Sequence, residues 1–251
     1  MCSCTMGKSE VTQGNGVRAA GAMPADGVVR PGTLPSDVRR ILIVGAGGFG
    51  REVLHWARDA WPEASTRIAG FLSADAHSVP VDRFLPPILA TPAAFRPEPG
   101  DALLLAIGIP VVRRRVAEDL ASRNAVFLTL VHPTAIVAPS AAIGNGSILC
   151  PYAIASDSVH LGRFTLMNYH SSLGHDAVTG DFAVLSPYAT LGGAAEIGAD
   201  VFLGLHASVA PGRRLGARTK VAANSAALCD TPADSLIFGV PGRVGPRCET
   251  V

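Results

Sequence analysis

VAPSAA IGNGSI LCPYAI ASDSVH LGRFTL MNYHSS LGHDAV TGDFAV LSPYAT LGGAAE IGADVF LGLHAS VAPGRR LGARTK VAANSA, running from Val137 to Ala226, falls into fifteen sixes without one slip of frame. The first place of each six is Val, Ile, Leu or Met, except at Ala155 and Thr179. The fifth place is Ala, Ser, Thr or Val, except at Arg213. An amphipathic helix repeats its apolar stripe at 3.6 residues and a half-buried strand at two, so neither accounts for a period of six. A fixed short repeat sustained over this length is the signature of a solenoid. One large aliphatic and one small side chain point inward in each six, and the residues between them bend the chain. Three such faces close a triangular coil of eighteen residues, and successive coils pair as parallel strands. Five coils predict a prism about 24 Å tall at the usual strand spacing.

Upstream, the pattern changes. ILIVG (41–45) reads as a buried strand running into Gly45-Ala46-Gly47-Gly48-Phe49-Gly50 and then a helix over 51–61. RIAGFL (67–72) and DALLLAIG (101–108) read as further strands, 111–124 as a second helix, and VFLTLV (126–131) as the strand leading into the solenoid. The Pro-rich stretch 73–99 supports no assignment. Strands alternating with helices imply a parallel α/β sheet. The division expected is an extension over 1–38 too rich in Gly, Ala, Ser and Pro to fold, an α/β Rossmann-like module over 39–130, and an all-β parallel β-helix with a C-terminal tail over 131–251.

The glycine run fits G-x-G-x-x-G between a strand and a helix, where backbone amides approach phosphate at a helix N-terminus. A nicotinamide-dependent oxidoreductase is the obvious reading, and three features oppose it. Residues 39–130 hold only half of a dinucleotide fold. No acidic residue closes the second strand, since FLSADA reaches only Asp75. The larger part of the chain is solenoid.

The net charge of +1 gives no electrostatic case for nucleic acid or a membrane surface. No apolar run has the length of a membrane span, and the N-terminus lacks a basic segment followed by an apolar core. The five cysteines, Cys2, Cys4, Cys150, Cys229 and Cys248, form no CxxC pair, and their odd number argues against a disulfide framework. These features lead to the expectation of a reduced, cytoplasmic protein. Cys2 and Cys4 alone are too few to hold a metal ion.

The sixes resemble those of the hexapeptide-repeat acyltransferases, whose repeats build a left-handed parallel β-helix. The handedness is implied by the resemblance alone, since the ordinary crossover rule favours right-handed connections. With a small Rossmann-like module in front, the chain is similar to the sialic acid O-acetyltransferase and nucleotide-amino-sugar N-acetyltransferase group. That resemblance implies acetyl-CoA as co-substrate, a small-molecule acceptor held by the N-terminal module, no metal, and a homotrimer with active sites between subunits. By position it places Gly47, Gly48, Phe49, Ser73 and Gly108 against the acceptor. Phe49 stands where the family commonly has His, Ser73 and Ala74 where acidic residues often stand, and Ile109-Pro110 where an Asn pair is common. The acceptor pocket is therefore less polar than is usual in the family.

Within Asn168–Asp176 (NYHSSLGHD), the resemblance makes His175 the general base and Asp176 its acidic support. Acyl transfer from a thioester requires a group that takes the proton of the attacking amine or hydroxyl, and a neutral imidazole titrates near working pH. A neighbouring carboxylate orients the ring and raises its basicity. Residues eighteen apart stack in columns, so Gly193 and Pro211 follow above His175, and Ala194 and Gly212 above Asp176. The wall beside the base is then bare of bulk and suits a thin pantetheine arm, with the Gly193 backbone amide placed to polarise the thioester carbonyl. Another column, Tyr152, His170, Tyr188, His206 and Asn224, lines a corner suited to a subunit contact, and from it His170 is a candidate acceptor contact. By resemblance Val184, Leu205 and Ala223 touch the coenzyme; Arg213, Arg214, Arg218 and Lys220, near the C-terminal coils, are candidates for its phosphates or equally for solvated charges. Gly239-Val240-Pro241-Gly242-Arg243 is similar to the segment that ends the solenoid in this group.

Some left-handed β-helix proteins are zinc hydratases with three histidine ligands. His170 and His175 have the spacing of two of them, but the third belongs at Thr134, and His132 misses the column. The expected activity is acetyl transfer to the nitrogen of a nucleotide-linked amino sugar. O-acetylation of a sugar or another small hydroxyl compound is the alternative, and a zinc hydratase or a non-catalytic nucleotide-binding scaffold stands further off. No nucleophilic Ser or Cys is paired with a base, so attack is direct, without an acyl-enzyme.

Overall fold

The computed structural model describes residues 34–75 and 85–247. Cys2, Cys4 and Cys248, and most of the extension expected over 1–38, lie outside the described residues.

The N-terminal module is a four-stranded parallel sheet in the order β3-β2-β1-β4, formed by β1 (Arg40–Val44), β2 (Ile68–Leu72), β3 (Ile88–Ala90) and β4 (Asp101–Leu105). Two helices complete it, α1 (Gly48–Ala60) and α2 (Pro110–Ala121). Ile41, Leu42, Ile43 and Val44 are wholly buried, as are Leu104 and Leu105, which explains why both strands read as unbroken apolar runs. Strand β3 fills part of the stretch the sequence left unassigned. VFLTLV divides in two: Phe127 bridges to Leu103 of the sheet, whereas Leu130–Val131 is already the first strand of the solenoid. The expected extension also proves too long. Val38 is buried and Leu34 packs beside it against the module's core, while the Arg67 guanidinium donates to the Val38 carbonyl at 2.8 Å.

The rest is the expected parallel β-helix. Strands recur every six residues and pair with the coil eighteen residues away, as in Ser172 with Thr190 and Leu173 with Leu191. The three sheets hold eight, six and five strands. The inward places are those read from the repeat: Leu149, Leu161, Met167, Leu173, Leu185, Leu191 and Leu203 form one column-filled core with Ala153, Ala177, Ala183, Ala189 and Ala195. Two aliphatic layers at native packing density need one large and one small group per face, so neither place tolerates exchange with the other.

The bend has a backbone signature that the repeat did not announce. The fourth residue of nearly every six adopts positive φ, from Tyr152 at 60° and His170 at 57° to Asp176 at 59°, Phe182 at 61° and Ala194 at 55°. Left-handed backbone is costly for side-chain-bearing residues. On two of the corners the cost is offset by stacking. Tyr152, His170, Tyr188 and His206 lie ring on ring at centroid distances of 4.9, 4.8 and 4.7 Å, forming an aromatic corner. Phe164 and Phe182 stack at 4.8 Å on a second corner. Asp176 and Ala194 mark the third, which also carries His175.

One face of the prism docks the N-terminal module. Its outward side chains Ile148, Leu166 and Val184 join the module's core together with Cys150. The phenylalanine corner flanks this face. Phe127 meets Phe164 edge-on at 5.0 Å, and Arg114 lies 4.3 Å over Phe182 while pairing with Asp200 at 2.8 Å.

Candidate active site

His175 is the third residue of its six, at the turn between the second and third faces, where the chain leaves the strand Ser172–Leu173. Its Nδ1 lies 2.8 Å from Asp176 Oδ2. The left-handed turn at Asp176 swings that carboxylate back beside the ring of its predecessor. With Nδ1 engaged, Nε2 is the nitrogen left for substrate. It sits over Gly193 of the next coil, where an added Cβ would lie only 2.5 Å from it. The bare wall foreseen beside the base is thus the seat of the imidazole itself. Both side chains are exposed, 71% for His175 and 62% for Asp176, so the pair is built on an open edge rather than in a pocket. The Gly193 N–H takes no part in the backbone bonds between coils, whereas its neighbours do: Gly192 N–H donates to Val209 and Ala194 N–H to His175. One coil below His175 stands Asp157, bound to the hydroxyls of Ser140 and Ser158 at 2.5 and 3.3 Å. The same eighteen-residue arithmetic that stacked Gly193 would have found it.

The residues expected to hold an acceptor gather elsewhere, at the carboxyl ends of the module's strands. Strand β1 has β2 on one side and β4 on the other, so the crevice above it is the switch point at which open α/β sheets bind ligands. Gly45 (φ 108°) makes the tight turn against Ala106, and Gly50 lies against the Gly45 carbonyl, where no Cβ fits. Gly47 and Gly108, in contrast, face open space, and Gly48 is bounded only by Arg51. Ser73 closes the end of β2, its hydroxyl bonded to the backbone of Asp75. Neither helix has an acidic residue in its first turn, so both N-termini present positive ends to this crevice. Phe49 packs edge-on to Trp56 and into the cluster containing Tyr169 and Phe202. Ile109, at 59% exposure, keeps the rim apolar as expected.

The remaining predicted contacts separate. His170 lies sandwiched in the aromatic corner between Tyr152 and Tyr188. Leu205 and Ala223 occupy the same corner's turn, both exposed. Val184 does not belong with them. It is 2% exposed beneath the N-terminal module, because outward positions on the docking face are covered, and no coenzyme reaches it there. Three of the four basic residues are ion-paired, Arg214 with Glu196, Arg218 with Asp234, and Arg213 with Asp230 at 3.6 Å, while Lys220 lies 5.8 Å over the Phe202 ring. Among the described residues, no three His, Cys, Asp or Glu side chains come together as metal ligands. The main arrangement is therefore this: the N-terminal module and the aromatic corner adjoin the docking face, and His175 occupies the edge opposite that face. One chain does not bring them together.

Two functional features escaped the sequence. Tyr169 links the module to the aromatic corner, edge-on to both His170 and Tyr188. Arg113, on the second helix and not singled out in the sequence, is wholly buried. Its place among the buried positions Pro110, Arg113, Ala117 and Leu120 gave the signal, since these share one stripe of α2.

Residues 40–120 match the family model described as the PglD N-terminal domain. Among curated proteins, the chain is 33% identical over 72 residues to a GDP-perosamine N-acetyltransferase of Escherichia coli O157:H7, covering 29% of this chain and 33% of that protein. It is 32% identical over 117 residues to a UDP-N-acetylbacillosamine N-acetyltransferase of Bacillus subtilis, covering 45% and 51%. The matches thus span a third to a half of those relatives' length. Among solved structures, the chain overlays PerB from Caulobacter crescentus, crystallised with CoA and GDP-perosamine, with a TM-score of 0.71 at 25% identity, covering 82% of this chain and 97% of that one. Residues 40–120 thus match a PglD-type N-terminal domain, and in repeat and shape the chain is similar to the hexapeptide-repeat β-helix proteins that include these sugar acetyltransferases.

Proposed function

We propose that the protein is an acetyl-CoA-dependent N-acetyltransferase of a nucleotide-linked amino sugar, working in the cytoplasm as a homotrimer. The observation that carries this reading is the His175–Asp176 pair at 2.8 Å, with Nε2 presented over Gly193 on an open edge of the β-helix. The relatives' activities and the ligands bound to PerB point the same way. Asp176 holds the imidazole with Nδ1 protonated, so that Nε2 is the basic nitrogen. As the acceptor amine attacks the thioester carbonyl, Nε2 takes the proton that the nitrogen loses. The Gly193 N–H is placed to stabilise the oxyanion. When the tetrahedral intermediate collapses, the C–S bond breaks, and the proton passes from His175 to the departing thiolate. The products are the amide and free coenzyme A.

The amino sugar nucleotide lies in the crevice of Gly47, Gly48, Ser73 and Gly108, its phosphates toward the two helix N-termini and its sugar toward Phe49 and His170. Leu205 and Ala223, on the aromatic corner, line the coenzyme's path beside that crevice. His175, on the opposite edge, is supplied by a second copy, and threefold closure completes every site in the same way. The test is free-thiol release from acetyl-CoA over a panel containing GDP-perosamine, UDP-linked amino sugars and their hydroxyl analogues. Release with an amino sugar that His175→Ala reduces by 10²-fold or more, the usual range for losing a general base, supports the reading. Release only with hydroxyl analogues moves the enzyme to O-acetylation, and undiminished release by His175→Ala removes His175 as the base.

A further inference from the structure

Arg113 is the largest wholly buried side chain among the described residues, and it has no carboxylate partner. Its planar fork is divided between the two halves of the molecule. Nη1 donates to the carbonyls of Leu105 and Ile107, the latter at 3.0 Å, in the connection from β4 to α2. Nε donates to the Phe164 carbonyl at 2.8 Å, and Nη2 approaches that of Gly146 at 3.5 Å. Gly146 and Phe164 are corner residues with φ of 74° and 56°, whose carbonyls are not used in the bonds between coils. A guanidinium buried among neutral acceptors is expensive to keep charged, and burial pushes Arg113 down to about 9. An aliphatic side chain would fill the same stripe of α2 without that cost.

What the fork secures is the short connection Ala106–Ile109. Its next residue, Gly108, faces open space in the acceptor crevice, and Ile109 forms the crevice's exposed rim. The amides of Ile107 and Gly108 make no backbone bond of their own. We infer that Arg113 is a positioning residue for the acceptor: by clamping the β4–α2 connection to the phenylalanine corner, it sets the height of Gly108 and Ile109 over the bound sugar nucleotide. The inference rests on the function proposed above for its purpose, though not for its geometry. Lysine cannot replace it, because one ammonium cannot satisfy two pairs of carbonyls on opposite sides.

The experiment compares wild type, Arg113→Lys and Arg113→Gln by steady-state kinetics and by backbone relaxation of the folded trimer, with whichever of GDP-perosamine or a UDP-linked amino sugar the wild type acetylates. The variants should raise KM for that acceptor tenfold or more, leave KM for acetyl-CoA within twofold, and lower the order parameters of Ile107 and Gly108. Unchanged acceptor KM in a folded variant overturns the inference. So does a parallel rise of both KM values with a fall in Tm, which would mark a purely structural staple. Should neither variant fold, wild-type relaxation decides: order parameters near 0.85 for Ile107 and Gly108 sustain the clamp, and values below 0.6 remove it. A wild type that acetylates nothing in the panel counts against the proposed function, and the same relaxation values still decide the clamp.

Discussion

At the scale of single residues, the site depends on one missing methyl group. Gly193 has no Cβ because the His175 imidazole lies where it would be, with Nε2 2.5 Å and Cε1 2.7 Å from that position. The side chain that must yield to Gly193→Ala is exposed and anchored only by Asp176, so it can swing outward at little cost to the fold. On the function proposed above, its nitrogen is then displaced from the reacting centre. Gly193→Ala is expected to lower kcat about 10- to 100-fold, as misplacement of a reacting group by an ångström does. Tm should stay within about 1 °C of wild type, because no core contact is lost. Undiminished kcat in a correctly folded variant would show that the ring does not work from the seat it occupies here. His175 and Asp176 were singled out by their resemblance to a family motif, and the periodic lattice, in which a residue's column follows from its number, then set Gly193 above His175. Val184 could not be judged that way. Its column is as regular, but the repeat does not say which face the N-terminal module covers.

At the scale of elements, legibility depended on whether a contact stays within one period. The inward Leu and Ala places, the eighteen-residue register and the glycine turn after β1 all follow from local pattern, and each was found where the pattern put it. The left-handed corners were hidden because Tyr152 and Phe182 are not residues that announce positive φ; stacking between coils accompanies them there. The burial of Arg113 was hidden for a related reason, since two of its four acceptors, the carbonyls of Phe164 and Gly146, lie in the solenoid. The α/β sheet has a comparable hidden pairing at its edge. Arg40 opens β1 and Asp101 opens β4 in direct register, joined by Nε–Oδ1 at 2.6 Å and Nη2–Oδ2 at 2.8 Å, and the Glu98 N–H adds a third bond to the carboxylate. Burial alone would raise the Asp101 pKa. The hydrogen bond and charge of Arg40, with the Glu98 amide, outweigh it and hold the group below the ordinary carboxylate value. A carboxyl depressed in the folded state contributes stability above its unfolded pKa, about 4, and loses it as pH falls through the lower folded value. Asp101→Asn should therefore destabilise the protein by about 1 kcal/mol at pH 7. The gap to wild type should close below pH 4 in denaturant titrations. A gap that persists undiminished into acid would mean that the asparagine disturbs packing rather than charge.

At the scale of the molecule, the decisive fact is the placement of the parts around a triangle. The N-terminal module covers one face, its crevice lies at the carboxyl ends of its strands, and His175 stands on the edge opposite that face. A prism is rigid in cross-section, since its interior is filled column by column, so no hinge within the chain can carry His175 around to the crevice. Either the two halves work with different molecules, or a neighbouring copy presents its histidine edge to this chain's crevice. The second alternative makes a quantitative prediction. Gly108→Phe should block the crevice without touching the fold, because a Cβ there meets nothing within 4 Å. His175→Ala should remove the base and leave the crevice intact. Each variant alone is inactive. When equal amounts are unfolded and reassembled together, a site regains both parts only if the base comes from a Gly108→Phe chain and the crevice from a His175→Ala chain. In a cyclic assembly with random mixing, that happens at about a quarter of the sites. Recovery to roughly that fraction of wild-type activity, absent when the variants are refolded apart and then combined, would place the active site between subunits. Failure to recover any activity, with mixed trimers demonstrated by mass spectrometry, would require the base and the crevice to meet within a single chain, which this arrangement of faces forbids, and the assignment of His175 would have to be given up.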